Sequence, residues 1–460
     1  MTYTDSIQFL YGLRLFGAKF GLENTFKLAA LAGNPQNQLR FIHVAGTNGK
    51  GSTCAMLESI YRSAGLRVGL YTSPHLVAFG ERIQVNRRPL AEAEVVRLVQ
   101  ELQPLLKEFP TDHHPTFFEV VTVMALRWFA EQQCDLVIWE TGLGGRLDAT
   151  NIVTPLASVI TNIQFDHQRW LGHDLASIAA EKAGIIKPGV PVITGAEEPQ
   201  ALAVIQETAL QQRAPLTLVT PAHTQHPPLD TLRLPLLGWH QRMNAAVALA
   251  TVRTLAPKIP VNELQLREGL AAVRWPGRLQ LVEVRGPSDP GFQPGSQAGM
   301  AEAAHPVTGQ MPVPLSPRRV LLDGAHNSAG VISLRAALDE HFPAARPAFI
   351  LGIMADKDWD LMCEILAPVA GRILCVPVHS ERSAQPGQLR EVCHRTNPNV
   401  SVETCASLAE ALARVETEPF TVVAGSLYLI GEAMELLHVA AAPNEDEKGL
   451  NEWTVRPAQS

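Results

Sequence analysis

The stretch Phe41-Ile-His-Val-Ala-Gly-Thr-Asn-Gly-Lys-Gly-Ser-Thr53 decides the fold, because it joins an apolar run to a glycine-rich turn. The apolar run predicts a buried strand at 41–45, and residues 54–61 after the turn are typical of a helix. Glycines let backbone N–H groups turn inward, and a helix N-terminus adds partial positive charge. Lys50 would place a mobile cation on the outer phosphates, and the hydroxyl of Ser52 or Thr53 could face a metal. The stretch therefore predicts a cradle for phosphate groups.

This cradle differs from the common P-loop pattern. In that pattern Ser or Thr follows the lysine, whereas Gly51 follows Lys50 here. The cradle is therefore a variant loop, and the predicted ATP-binding residues within it are Gly46, Thr47, Asn48, Gly49, Lys50, Gly51 and Ser52.

Apolar strands and amphipathic helices alternate along the first half of the chain. This alternation predicts a mainly parallel sheet with helices on both faces, with functional groups at the carboxyl ends of the strands. Ser73, Glu140 and His167 each follow a predicted strand. The predicted strands are 41–45, 67–72, 135–139, 157–162 and 190–194, and the predicted helices are 53–64, 91–108, 117–132 and 174–183.

A helix at 240–255 ends this first region, and a second alternating region begins after Trp275-Pro276. A chain of 460 residues is too long for one ordinary core, so two domains are expected. We predict an ATP-binding domain at 1–273, a smaller α/β domain at 274–440 and a tail at 441–460 that is frayed after about position 442. Residues 286–317 are rich in Pro, Gly, Ser, Ala and Gln, which predicts a flexible insertion. The second region has predicted strands at 279–285, 319–323, 347–352, 372–376 and 420–424, and helices near 328–341, 358–369 and 407–416.

Composition excludes several classes of function. The net charge is −7 with no basic block, which argues against nucleic acid as a partner. No apolar run reaches the roughly 20 residues that would cross a bilayer. Six cysteines are scattered without a C-x-x-C pair, which favours neither zinc nor a disulfide framework. A reduced, cytoplasmic protein is expected.

Six further motifs accompany the cradle in a fixed order. They are Tyr71-Thr-Ser-Pro-His-Leu76, Glu140-Thr-Gly-Leu-Gly-Gly-Arg-Leu-Asp-Ala-Thr-Asn151, Asp166-His-Gln-Arg-Trp-Leu-Gly172, Glu181-Lys-Ala-Gly-Ile185, Trp275-Pro-Gly-Arg278 and Asp323-Gly-Ala-His-Asn327. With the cradle, they resemble the Mur ligase superfamily and, within it, the folylpolyglutamate synthase/dihydrofolate synthase family. The resemblance covers residues from about 16 to about 432. It implies ATP-driven amide-bond formation on a P-loop domain, with a Rossmann-like C-terminal ligase domain.

The resemblance implies Mg²⁺ ligands at Ser73, Glu140 and His167. From the residues alone, Glu140 is well placed for Mg²⁺ on ATP, whereas a Ser-Pro is usually a turn and a single His more often caps or packs. The resemblance also implies that Lys182 is carbamylated by CO₂, although an ordinary helix lysine is solvated. A monovalent cation is a possible further cofactor.

The remaining nucleotide contacts that the resemblance implies are Asn244, Arg278 and Asp323. The predicted catalytic residues are Lys50, Lys182 and His326. Arg278 precedes the first strand of the second domain and could reach phosphate oxygens with its forked guanidinium. An ion pair between domains is the alternative for Arg278, and an ordinary Asp-Gly turn is the alternative for Asp323.

For the pterin substrate the resemblance implies three segments. Phe117 and Phe118 could stack on a flat heterocycle or belong to the helix core, and Asp148 could bind ring N–H groups or order its loop. The full set is Phe20, Gly21, Leu22, Glu23, Thr116, Phe117, Phe118, Glu119, Leu147, Asp148 and Ala149.

The expected activity is ligation of L-glutamate to reduced folates and to dihydropteroate through an acyl phosphate, by a cytoplasmic monomer that binds neither nucleic acid nor membrane. One alternative is a Mur ligase of cell-wall synthesis. Such enzymes have a complete domain before the ATP loop, whereas about 40 residues precede it here. The other alternative is a nucleotide-binding regulator without ligase activity.

Overall fold

The computed structural model describes residues 1–16, 21–284, 318–440 and 447–451. These residues form two compact units. The first comprises Met1–Pro235, His240–Trp275 and the residues described at 447–451, and the second comprises Leu236–Trp239 and the residues described from Pro276 to position 440. The predicted insertion at 286–317 and the predicted pterin contact Phe20 lie outside the described residues.

The strands of the first unit form one sheet. They are β1 (Phe41–Ala45), β2 (Val68–Tyr71), β3 (Ile83–Val85), β4 (Arg88–Pro89), β5 (Leu136–Glu140), β6 (Ala157–Ile160), β7 (Val192–Thr194) and β8 (Leu216–Leu218). Their order is β4-β3-β2-β5-β1-β6-β7-β8, and all pairs are parallel except β2 with β3 and β3 with β4. The central strands β1, β2, β5 and β6 are buried throughout, as expected for a parallel sheet covered on both faces. The mainly parallel sheet is thus confirmed.

The helices assigned to this part of the chain are α1 (Tyr3–Leu13), α2 (Glu23–Leu31), α3 (Lys50–Ser63), α4 (Glu92–Leu106), α5 (Phe117–Glu131), α6 (Gln168–Leu171), α7 (Leu175–Ala183), α8 (Pro199–Gln211), α9 (Trp239–Leu255) and α10 (Glu263–Ala271). The helix predicted to start at residue 53 begins at Lys50, because Gly49 makes the turn with a left-handed backbone (φ 82°). Within the described ranges, no helix is both long enough and apolar enough to cross a membrane.

The second unit has its own sheet. Its strands are β9 (Gln280–Val284), β10 (Arg318–Asp323), β11 (Ala348–Leu351), β12 (Arg372–Cys375), β13 (Ser401–Thr404) and β14 (Phe420–Ala424), in the order β13-β12-β11-β14-β10-β9. Only β9 and β10 pair antiparallel among these strands. Its helices are α11 (Ser328–His341), α12 (Trp359–Leu366), α13 (Pro386–Thr396), α14 (Leu408–Arg414) and α15 (Leu427–Leu436). The second α/β domain is therefore confirmed, with β13, α13 and α15 added to the predicted elements.

The register of the first sheet gathers the predicted functional groups at one edge. Strand β1, which leads into the cradle, lies between β5 and β6. Val44 is paired with Glu140, and Ala45 is paired with Ile160. The cradle, Glu140 and the residues that follow β6 therefore share the carboxyl edge of the sheet.

The prediction that the tail is frayed after about position 442 is wrong for the residues described at 447–451. Glu447 and Leu450 are each 1% exposed, and Leu450 joins the hydrophobic core that α1, α4 and α5 also form. The low periodicity of the tail hid this contact, because a single apolar residue and two polar side chains make it.

Candidate active site

Two glycines give the cradle its shape. Gly46 (φ 147°) and Gly49 (φ 82°) both have backbone conformations that L side chains rarely adopt. A Cβ at Gly46 would collide with the hydroxyl of Thr161, and a Cβ at Gly49 would collide with the side-chain amide of Asn244. The predicted contact Asn244, carried by α9, therefore lies directly beside the cradle.

The loop that follows β6 holds the cradle in place. The Thr47 N–H donates to the Asn162 carbonyl (2.9 Å), and the Asn48 N–H donates to the Asn162 side-chain oxygen (2.8 Å). The Thr161 hydroxyl in turn donates to the Asn48 carbonyl (2.6 Å). Sequence reasoning missed Thr161 and Asn162, although their position after a strand next to β1 was a usable signal.

Two lysines converge on one carbonyl of the cradle. Lys50 Nζ donates to the Gly46 oxygen at 3.2 Å and to the Thr47 oxygen at 3.3 Å. Lys182 Nζ donates to the same Gly46 oxygen at 3.0 Å. The predicted catalytic pair Lys50 and Lys182 is thus brought together, although α7 is far from the cradle in sequence.

Lys182 has an unusual environment for a lysine. Its side chain is 4% exposed, so it is not the solvated helix lysine of the simpler interpretation. Burial, reinforced by the positive charge of Lys50, lowers the pKa of Lys182 to about 7. Near neutral pH a large fraction of this amine is therefore uncharged and nucleophilic.

The glycine-rich loop after β5 positions Lys182. The Arg146 N–H donates to the Glu181 carbonyl (2.7 Å), and the Arg146 guanidinium pairs with the Glu181 carboxylate (2.7 Å). A Cβ at Gly145 would lie 2.9 Å from the carbonyl oxygens of both Glu181 and Lys182. Glycine at this position therefore lets the loop pack directly on the end of α7.

Two of the three predicted metal ligands lie side by side. Glu140 is 4% exposed, and its carboxylate accepts a hydrogen bond from the Ser73 N–H (3.1 Å). A buried carboxylate next to a serine, on the strand beside the phosphate cradle, is an oxygen donor set that suits Mg²⁺. Within the described ranges, no three His, Cys, Asp or Glu side chains cluster as a metal cage.

His167, the third predicted ligand, has a left-handed backbone (φ 50°) at the start of α6. Such a conformation costs a non-glycine residue about 1–3 kcal/mol and is concentrated at functional sites. Its N–H donates to the Asp166 carboxylate (2.8 Å), and its Nε2 lies 3.9 Å from the other oxygen of that carboxylate. A role of His167 as a metal ligand stays a prediction.

The predicted pterin segment at the start of α5 caps that helix and contributes to packing. Thr116 and Glu119 form a capping box, in which the Thr116 N–H donates to the Glu119 carboxylate (2.7 Å). The other Glu119 oxygen accepts from the Thr25 hydroxyl (3.3 Å), which ties α2 to α5. Phe117 is 9% exposed and packs in the core, whereas Phe118 is half-buried with its ring against Gly142. Of the two phenylalanines, Phe118 has the surface that could contact a ligand.

Asp148 orders its own loop. Its carboxylate accepts from the Leu143 N–H (2.7 Å) and the Thr150 N–H (3.0 Å). Burial raises the pKa of Asp148 above its ordinary value.

The other predicted pterin positions lie in turns and at helix ends. Gly21 and Leu22 precede α2, and Glu23 is its first residue. Leu147 is half-buried in the loop after β5, and Ala149 begins a short 3₁₀ turn.

In the second unit, three predicted residues lie together where β10 ends. Asp323 is 6% exposed, and its two oxygens accept from the Leu279 N–H (2.8 Å) and the Ala325 N–H (3.0 Å). Burial raises the pKa of Asp323, and the nearby Arg278 guanidinium opposes that shift. A Cβ at Gly324 would lie 2.6 Å from an Arg278 guanidinium nitrogen, and His326 Nδ1 lies 2.8 Å from the Gly324 carbonyl. Arg278, Asp323 and His326 therefore form one cluster around a tight turn.

Comparison with known proteins defines the class. Residues 44–220 match the Mur ligase middle domain, and residues 311–427 match the Mur ligase, glutamate ligase domain. The fold and the cradle are thus those of a Mur-type, ATP-dependent ligase.

Individual relatives narrow the class to one family. The chain is 33% identical to the dihydrofolate synthase/folylpolyglutamate synthase of Bacillus subtilis over 95% of this chain and 99% of that protein. It superposes on the folylpolyglutamate synthase of Thermotoga maritima with a TM-score of 0.76, 31% identity, and coverage of 97% and 98%. It superposes on the Escherichia coli enzyme in complex with DHPP and ADP with a TM-score of 0.77, 30% identity, and coverage of 95% and 98%. The chain belongs to the folylpolyglutamate synthase/dihydrofolate synthase family.

Proposed function

We propose that this enzyme adds L-glutamate both to reduced folates and to dihydropteroate, using ATP. The observation that carries the proposal is the convergence of Lys50 and Lys182 on the cradle, one strand away from the Ser73–Glu140 pair. The name of the Bacillus subtilis relative, which matches along nearly its whole length, includes both activities. Relatives named for one activity also match, so the substrate range needs its own test.

The reaction proceeds in two displacements. A carboxylate oxygen of the pteroate or folate attacks the γ-phosphorus of ATP, and ADP leaves. The amino group of L-glutamate then attacks the acyl carbon, the bond to the phosphate oxygen breaks, and inorganic phosphate leaves as the amine loses its proton. The cradle N–H groups and Lys50 hold the phosphates in place and offset their charge. Mg²⁺ held by Glu140 and Ser73, with His167 as the third predicted ligand, would add neutralisation of the phosphate charge.

Lys182 is proposed to act as a carbamate. Its uncharged amine attacks CO₂, a C–N bond forms and a proton leaves, which converts a cation into an anionic oxygen donor. The lowered pKa and the burial of Lys182 support this role, because an ordinary lysine stays protonated and unreactive near neutral pH. The carbamate would help to orient the metal and the transferred phosphoryl group.

Several finer assignments belong to the same proposal. The nucleotide contacts Asn244, Arg278 and Asp323, the catalytic role of His326 and the monovalent cation stay predictions. Asn244 has the most direct support, since it lies against Gly49. For the pterin, the half-buried ring of Phe118 is the better-placed of the two phenylalanines. A cytoplasmic location is proposed on composition and cysteine usage, since all six cysteines are free thiols. The monomeric state stays a prediction.

The test of the function is the product spectrum with each substrate supplied separately. Purified enzyme is incubated with ATP, Mg²⁺, L-glutamate and either dihydropteroate or a reduced monoglutamyl folate, and the products are separated by mass. We expect dihydrofolate from the first mixture and longer glutamyl chains from the second, each with stoichiometric ADP. Product from one mixture alone would contradict bifunctionality. ADP formation without ligated product in either mixture would favour a nucleotide-binding regulator, and ligation of another carboxylate alone would favour a cell-wall type ligase.

The Glu140→Gln variant tests the metal site. Gln keeps the shape of Glu140 but removes the negative charge beside Ser73, so the free Mg²⁺ concentration for half-maximal activity should rise by about tenfold or more, equivalent to ~1.4 kcal/mol. Initial rates over a range of free Mg²⁺ measure this. Glu197→Gln, at an exposed position before α8, is the matched control and should leave the Mg²⁺ requirement unchanged. An unchanged requirement in Glu140→Gln would exclude Glu140 as a ligand.

A further inference from the structure

The residues described at the end of the chain contact the loop that carries Ser73. We call residues 72–82, which join β2 to β3, the Ser73 loop, and we call Glu447, Leu450 and Asn451 the C-terminal segment. Each of these three residues is at most 5% exposed. They are separated from the Ser73 loop by more than 360 residues of sequence, so nothing local places them there.

Glu447 anchors one side of the loop. Its carboxylate accepts from the Phe79 N–H and from the Tyr3 hydroxyl (2.8 Å), and its carbonyl lies 3.0 Å from His75 Nε2. Phe79 and His75 both belong to the Ser73 loop. One residue of the C-terminal segment therefore joins that loop to helix α1.

Asn451 anchors the other side through a buried arginine. Its side-chain oxygen accepts from the Arg82 guanidinium, and its side-chain N–H donates to the His75 carbonyl (3.0 Å). Arg82 Nε also donates to His75 Nδ1 (2.8 Å), and the Arg82 side chain is 3% exposed over the Phe117 ring. Because arginine can only donate, His75 Nδ1 must accept, and its Nε2 then carries the proton donated to the Glu447 carbonyl. Donors and acceptors match at each of these contacts.

The Ser73 loop is connected directly to the proposed metal site. The backbone N–H of its first residue, Thr72, donates to the carbonyl of its last residue, Arg82 (3.1 Å), and this hydrogen bond joins the two ends of the loop. The amide of Ser73 is bonded to Glu140, and His75 is only two residues further along. A displacement of His75 or Arg82 would therefore shift Ser73 relative to Glu140.

We propose that Glu447 and Asn451 are positioning residues that hold Ser73 in place for catalysis. The inference rests on the proposed role of Ser73 as a ligand of Mg²⁺ on ATP. Neither residue needs to touch a substrate. Both act through His75, Phe79 and Arg82, and Leu450 secures the segment by its burial in the core of the first unit.

The first test measures the loop without any substrate. Amide hydrogen exchange is followed by mass spectrometry in the wild type, Asn451→Ala and the control Asn37→Ala, which changes an exposed asparagine of the same unit. We expect exchange of peptides spanning residues 72–82 to be faster by about tenfold in Asn451→Ala and unchanged in the control, because local opening sets the exchange rate. Unchanged exchange in Asn451→Ala would overturn the proposal, whatever the enzyme's substrates are.

The second test is a double-mutant cycle with Ser73. Asn451→Ala should raise the Mg²⁺ concentration for half-maximal ligation by about fivefold, and the Ser73→Ala/Asn451→Ala variant should be no worse than Ser73→Ala, since the two changes remove one function. Additive effects would overturn the proposal, because they would mean that Asn451 acts independently of Ser73. If Ser73→Ala alone leaves the Mg²⁺ dependence unchanged, the role of Ser73 fails, and the positioning role fails with it even if the exchange test succeeds.

A conservative pair of variants separates positioning from general stability. In Glu447→Gln the side-chain oxygen can still accept from the Phe79 N–H while its NH₂ group donates to the Tyr3 hydroxyl, whereas Glu447→Ala loses both contacts. We expect Glu447→Gln to retain a Mg²⁺ dependence within about twofold of the wild type and Glu447→Ala to match Asn451→Ala. A Glu447→Ala enzyme that melts at a lower temperature but shows the wild-type Mg²⁺ dependence would reduce the segment to a purely structural role and contradict the proposal.

Discussion

The Lys50→Ala enzyme is expected to lose ligation almost completely while remaining folded. Lys50 is half-buried, and its ammonium reaches the Gly46 and Thr47 carbonyls at the centre of the cradle. The sequence alone predicts Lys50 to be the only cation there. The structure adds Lys182, but a pKa of about 7 leaves Lys182 a weaker source of positive charge near neutral pH. Removing Lys50 therefore removes the main side-chain cation that the cradle itself would present to the transferred phosphoryl group.

We expect kcat/KM for ligation to fall by about a thousandfold or more, equivalent to roughly 4 kcal/mol of transition-state stabilisation. Product formation is measured with both pterin substrates, and thermal unfolding establishes that the fold persists. Lys258→Ala, at an exposed position after α9, is the matched control and should retain full activity. Ligation within about tenfold of the wild type, a difference of only ~1.4 kcal/mol, would rule out the assigned role of Lys50.

The Lys182→Ala enzyme should also lose turnover, but this loss should be partly reversible. If Lys182 acts as a carbamate, a small carboxylate such as acetate can occupy the vacated space and restore anionic oxygens near the Gly46 carbonyl. Activity is measured in Lys182→Ala with increasing acetate and formate, with Lys258→Ala as the control that should show no response. A fully active Lys182→Ala enzyme would exclude the carbamate role and weaken the assignment of His167.

The same role predicts a dependence of the wild type on CO₂ and on pH. Only the uncharged amine attacks CO₂, and the lowered pKa of about 7 means that the uncharged fraction grows as the pH rises through 7. After CO₂ depletion and readdition, activity should therefore recover about tenfold faster at pH 8 than at pH 6, at equal dissolved CO₂. Equal recovery at the two pH values, or no effect of depletion, would show that no carbamate forms during turnover.

The fold was predictable where a short segment determines its own local structure. The apolar run at 41–45 followed by glycines and Lys50 specifies a strand, a turn and a helix without help from the rest of the chain. The rule that functional groups gather at the carboxyl ends of parallel strands then placed Glu140 beside the cradle, and the pairing of Val44 with Glu140 confirms that placement.

The rest depended on contacts that no local pattern encodes. Asn162 holds the cradle from more than 110 residues away, and Lys182 reaches Gly46 across 136 residues. Phe117 could either stack on the pterin or pack in the core, depending on which side of α5 faces the core. Periodicity alone did not favour either alternative. The buried position of Asn451 depended on two partners, the Arg82 guanidinium and the His75 carbonyl. For Asn162, Lys182 and Asn451 the deciding partner is remote in sequence and polar, so hydrophobic periodicity carries no signal for it.

The antiparallel pairing of β9 with β10 has a practical consequence for engineering the protein. Val284 and Arg318 are directly paired at the edge of the second sheet, so the chain leaves and re-enters the ladder at neighbouring points. The length of the connection between those points has little effect on the stability of the strand pair, because each doubling of loop length costs only about 0.6 kcal/mol of closure free energy. This edge is therefore a suitable position for genetic fusion, where a fluorescent reporter or an affinity module could be inserted while the pairing of β9 with β10 is kept.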